Sequence, residues 1–161
     1  MQLVLTEEQE LIAATARDFV AASSPVSRFR ALRDAGDPLG YSPALLQEMG
    51  GLGWLGIPFG EKEGGAGLGL AELVLVVEAL GRNLAPEPIV GGLAMGGFAL
   101  ALGASPALRA AWLPGILEGR RVVALAHQEP GARYALNRIA TRAVPSGSGF
   151  RSSRFNGAAC R

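Results

Sequence analysis

A chain of 161 residues, 49% hydrophobic and 18% charged, is too apolar for intrinsic disorder and long enough for one domain and the start of a second. One cysteine, Cys160, and one histidine, His127, exclude an internal disulfide framework and a Cys/His zinc site, and they suit a reducing, cytoplasmic compartment. The net charge of +1 joins a stretch up to Glu129, with fourteen acids against nine bases, to a tail of six arginines and no acid; the tail lacks the compact basic run of a nucleic-acid arm.

Met1-Gln2-Leu3 runs straight into an acidic helix start and does not read as a signal peptide. Thr6-Glu7-Glu8-Gln9 is a capping box, and Ile12, Ala16 and Phe19 behind it recur at helical spacing, with Leu11 widening the stripe, up to Ser23-Ser24-Pro25. A second helix spans Val26 to Ala35 and ends on Gly36 as a left-handed cap. Ser42-Pro43 opens a third, closed by Gly50-Gly51. Residues Leu52 to Gly69 form an irregular, glycine-rich connection. Helix four, Leu70 to Leu80, buries Leu73, Val76, Val77 and Leu80 and stops at Gly81.

Pro88 to Leu108 carries no charge over 21 residues, which invites a membrane reading. Its five glycines and the new start at Ser105-Pro106 limit the helical part to Ile89–Leu102, the length of a core helix rather than a span. A sixth helix runs from Pro106 to about Leu113, is interrupted at Pro114-Gly115, and ends by Gly119. The period then changes. Val122 to Ala126 reads as a short buried strand and Ile139 to Val144 as a second, with a turn at Ser146–Gly149. The expected organisation is a mostly α domain over residues 1–119, the first strands of an incomplete β domain over 120–150, and a disordered or aberrant tail over 151–161.

Few residues carry chemistry by themselves. The Gly60–Gly69 loop has the glycine freedom of a phosphate cradle, yet no Gly-Lys-Ser/Thr comes after it and no strand precedes it, so a lid or turn is the simpler reading. His127-Gln128-Glu129 is a polar cluster at a strand end, without a nucleophile or metal partner. Cys160 reads as a bystander thiol in a polar tail.

The order of these motifs resembles the N-terminal part of the acyl-CoA dehydrogenases. The residues that carry it are Thr6-Glu-Glu-Gln9, Met49-Gly-Gly-Leu-Gly-Trp-Leu-Gly-Ile-Pro58, Glu63-Gly-Gly-Ala-Gly67 and Val76-Val-Glu-Ala-Leu-Gly81. The likeness continues through Trp112-Leu-Pro-Gly-Ile-Leu-Glu-Gly119 and Ala124-Leu-Ala-His-Gln-Glu-Pro-Gly-Ala-Arg-Tyr134, and looks closest to the small-subunit branch of the pimeloyl-CoA dehydrogenases. It implies an acyl-CoA dehydrogenase-like helical domain and, in the whole enzyme, FAD, an acyl-CoA substrate and an electron-transfer acceptor.

By that resemblance Leu125, His127 and Gln128 would edge the flavin ring, and Tyr134 would sit where flavin and thioester meet. Glu129-Pro130 would be a structural turn. The reaction takes a proton from the carbon beside the thioester carbonyl and passes a hydride from the next carbon to the flavin, and the family's carboxylate base lies beyond the part matched here. No catalytic residue or metal ligand is therefore assigned. Gln128 stands where Thr or Ser is usual, Arg133-Tyr134 replaces a Gly-Ser pair, and Ala135 replaces an Asp. After Phe150 the sequence leaves the family pattern. The expectation is a truncated or frameshifted chain, inactive alone, with a short non-catalytic subunit or helical interaction module that binds a partner chain, or a homo-oligomer, as the alternative.

Overall fold

The computed structural model describes residues 4–129, 131–132, 134–135, 137–147 and 149–152. Six α-helices are present among them: α1 Glu7–Ser23, α2 Val26–Asp34, α3 Pro43–Gly51, α4 Leu70–Arg82, α5 Phe98–Gly103 and α6 Pro106–Leu117. The chain divides into two compact units, one through Leu125 and one from Ala126.

The helix starts are chemical. Thr6 Oγ1 accepts from Gln9 N at 3.2 Å while Gln9 Oε1 accepts from Thr6 N at 3.1 Å, the two halves of a capping box. Ser42 and Ser105 cap α3 and α6 by accepting from Leu45 N and Leu108 N, each with a proline in the first turn. α1 lies along α4, where Gln9 Nε2 donates to Glu72 Oε1 at 2.7 Å and Asn83 Nδ2 donates to the Val20 carbonyl at 3.3 Å. Ala16, Met49 and Val76 are fully buried at the centre of the core. Phe19 meets Trp54 edge-on with ring centres 5.0 Å apart, and Phe59 stacks on Phe98 at 5.0 Å.

One polar cluster is buried in this unit. Arg28 pairs with Glu87, whose side chain has no exposure, and Arg28 Nη1 also donates to Ser24 Oγ at 2.8 Å. Ser42 N donates to Glu87 Oε1 at 3.2 Å, so one carboxylate joins α2, the start of α3 and the connection after α4. The charges are tolerable in the interior because each is paired and hydrogen-bonded.

Four sequence expectations are corrected. α4 passes through Gly81 to Arg82, helped by the Glu78–Arg82 pair at 2.7 Å, and its left-handed cap is Leu84 at φ 54°. Ile89–Gly97 is wound as a π-helix before α5 takes over at Phe98, so the element has the expected extent but a wider first part. α6 is not interrupted at Pro114. The proline has no N–H for Ala110, and the helix continues past it to Leu117. Arg121 folds back over these last turns, its Nη1 donating to the Ala111 carbonyl at 2.6 Å and its guanidinium lying 4.9 Å from the Trp112 ring centre. Val122–Ala126 is not a strand, since its valines pack on a helix and not in a ladder. A Cβ at Gly96 would stand 2.8 Å from Val123 Cγ2 and 2.9 Å from its carbonyl, so the missing side chain is what admits the segment.

In the second unit the strands are β1 Ala143–Ser146 and β2 Gly149–Ser152, an antiparallel hairpin that begins later than expected. The turn at Ser146–Gly149 is present where the sequence places it, with Gly147 at φ 63°. The expected disordered tail, including Cys160, lies almost wholly outside the described residues.

Candidate functional site

The glycine-rich connection between α3 and α4 holds two short 3₁₀ turns, Trp54–Gly56 and Glu61–Glu63. Its second half bonds back onto its first: Ala66 N donates to Gly56 O, Gly67 N to Phe59 O and Leu68 N to Ile57 O, at 2.8–3.0 Å. Amides committed in this way are not a phosphate cradle. The connection is a closed turn. An open cleft of about 570 Å³ beside it is lined by Gly53, Lys62, Glu63, Pro114 and Glu118. Glu63 Oε2 accepts from Gly60 N at 3.0 Å and Glu118 pairs with Arg120, so neither carboxylate is poised over the cleft as a base.

The residues predicted from sequence fall in both units. Leu125 closes the first and is 42% exposed. His127, Gln128 and Tyr134 belong to the second, where all three are exposed, Tyr134 at 97%. None of the four lies on a helix or strand. Glu129 is placed differently. Its Oε2 accepts from Ala140 N at 2.8 Å and its Oε1 from Thr141 N at 2.9 Å, which ties the two ends of a loop together. A carboxylate that accepts two backbone N–H groups in this way has a structural role. Sequence reasoning missed the buried Ser24–Arg28–Glu87 cluster, because Arg28 and Glu87 lie 59 residues apart and neither belongs to a local motif. Among the described residues no group of three His, Cys, Asp or Glu is arranged to hold a metal.

Residues 6–120 match the model of the acyl-CoA dehydrogenase N-terminal domain. The chain belongs to the acyl-CoA dehydrogenases. It is 35% identical over 109 residues to acyl-CoA dehydrogenase FadE12 of Mycobacterium tuberculosis, an alignment covering 67% of this chain and 28% of that protein. The ChsE4-ChsE5 complex from Mycobacterium tuberculosis contains a similar fold, with a TM-score of 0.74 at 26% identity over 94% of this chain and 40% of that one. An acyl-CoA dehydrogenase complexed with FAD from Bacillus anthracis gives 0.73 at 26% identity, over 86% and 24% of the two chains. This acyl-CoA dehydrogenase chain thus spans well under half the length of the relatives it matches. Its family match ends at residue 120, before the segment from Leu125 to Tyr134.

Proposed function

We propose that these residues are the N-terminal helical portion of an FAD-dependent enzyme that desaturates an acyl-CoA thioester between its α and β carbons. The observation that carries this is the family match over residues 6–120, on a fold that a relative complexed with FAD shares. In this reading Leu125, His127, Gln128 and Tyr134 line one edge of the flavin and Tyr134 also faces the thioester. The donor set fits such a role. An imidazole, an amide and a phenol beside an apolar leucine are groups that can bond the polar edge of a flat heterocycle and cover its face. Bound flavin supplies the hydride acceptor. The chain's own residues position and enclose, and Glu129 does not serve as base, because both its oxygens already accept from backbone amides.

Desaturation also needs a base and donors to the thioester oxygen, since the proton removed is far too weakly acidic for a carboxylate in water. By the family resemblance that base is not among these 161 residues, and one edge of contact does not offset the freedom a flavin loses on binding. The expected result is that the purified chain, mixed anaerobically with FAD and a panel of acyl-CoAs, leaves the flavin absorbance unbleached. Bleaching by the chain alone would overturn the reading. A second reading, a short subunit whose site is completed by a partner chain, is favoured by the likeness to the ChsE4-ChsE5 complex. It predicts bleaching only after a second acyl-CoA dehydrogenase polypeptide is added.

A further inference from the structure

Of the six α-helices, α2 is the one that puts nothing into the core. None of its nine residues is buried, and its half-buried Val26, Phe29 and Leu32 do not pack against the core residues. The stretch after it, residues 35–40, is exposed throughout and bonds to itself, with Asp37 Oδ1 accepting from Leu39 N and Gly40 N at 2.9 Å. Both flanks are fixed. Buried Ser24 closes α1 by donating its N–H to Val20 O, and Tyr41 packs against the core beside the Ser42 cap of α3. Between those anchors, among the described residues, Arg28 is the only residue that bonds to a partner distant in the chain, and the partner is Glu87.

We infer that residues 26–40 are a latched flap, which lifts from the body as one piece while the core stays folded, with the Arg28–Glu87 pair as its latch. The free energy of a local opening follows the buried apolar contacts that the segment makes, and this segment makes few. A nine-residue helix is too short to hold its shape alone in water, so leaving the surface and melting are one event. The flap lies on the surface and opens into solvent, so no second packed arrangement is required. The latch supplies most of what opposes opening. Glu87 has no side-chain exposure, and a buried carboxylate stripped of its cation is costly. Opening avoids that state, because the guanidinium enters water with α2 and water reaches Glu87 from the side that Arg28 covered. Ser42, which belongs to the anchored flank, goes on donating its N–H to Glu87 Oε1. The inference does not depend on the flavin reading.

The test is amide hydrogen exchange of the whole chain at several low urea concentrations. The amides from Arg30 to Asp34 should share one protection factor, roughly 10-fold or more below those of α1 and α4, and respond little to urea because the opening exposes little surface. Glu87→Gln, which keeps the shape and removes the charge, should speed all of them roughly 10-fold or more. Ser24→Ala, which removes only the hydroxyl that accepts from Arg28 Nη1, should speed them about 5-fold and decides the matter if the glutamine variant does not fold. Exchange of α2 only together with the core, at the same urea slope, would overturn the flap, and so would unequal protection spread along α2. Unchanged α2 rates in the folded variants would overturn the latch.

Discussion

Two carboxylates show how differently the same chemistry acts by position. Glu87 has no side-chain exposure and depends on Arg28, and Arg28 on it. Glu87→Ala leaves a largely buried guanidinium without its partner, and the expected loss is about 3–5 kcal/mol, read from urea unfolding. A loss below about 1 kcal/mol would mean that water reaches Arg28 without cost. Glu72 stands at the start of α4, where Gln9 Nε2 and then the amides of Glu72 itself and Gly69 hold its carboxyl below the ordinary value of 4.5. A carboxyl depressed in the folded state stabilises fully above its unfolded value, and that contribution fades as pH falls through the folded one. An NMR titration should place the Glu72 midpoint below 4.5 and raise it in Gln9→Ala; a midpoint unmoved by that change would remove Gln9 as the cause.

The helix ends repeat one motif with different residues. α2 closes with Asp37 N on Leu32 O around Gly36 at φ 62°, and α6 with Arg120 N on Gly115 O around Gly119 at φ 70°. α4 closes in the same way, with Ala85 N on Leu80 O and Leu84 N on Gly81 O, but around a leucine. A β-carbon in the left-handed region costs about 1–2 kcal/mol, and Leu84, half exposed, regains little of that by burial. Leu84→Gly should therefore stabilise by about 0.5 kcal/mol after the greater freedom of glycine in the unfolded chain is subtracted. Leu84→Ala, which keeps the β-carbon, should not. If the two variants melt alike, the cap is not the strained element. Gly119 has a second reason to be glycine, because a Cβ there would stand 2.4 Å from Leu46 O.

At the scale of the molecule, every buried hydrophobic residue among those described lies between Ala13 and Leu117, inside the first unit. The hairpin, as two isolated strands, has little stability of its own. Residues 1–125 expressed alone should keep the cooperative thermal transition of the full chain to within a few degrees. A broad, non-cooperative melt would show that the helical core needs residues after Leu125. No helix among the described residues is long and apolar enough to cross a membrane. Within the uncharged run from Pro88 to Leu108, Ile89, Leu93 and Ala101 are buried in the core, while Val90, Leu102 and Leu108 are exposed.

What could be read along the chain was whatever is decided within one turn of it. The Thr6–Gln9 box, the serine-proline starts at Ser42 and Ser105, the caps at Gly36 and Gly119 and the buried face through Val76 are all fixed by neighbours three or four residues away. The order of the glycine and tryptophan motifs sufficed to identify the family. The roles of Leu125, His127, Gln128 and Tyr134 rest on that resemblance, since periodicity says nothing of what an exposed side chain meets. Distance along the chain defeated the rest. Val122–Ala126 avoids a ladder because Gly92 and Gly96 offer Val122 and Val123 a bare helix face, and Glu87 is buried because Arg28 arrives from 59 residues away. In each case the local preference is worth about 1–3 kcal/mol, and a contact that only the folded chain creates is large enough to reverse it.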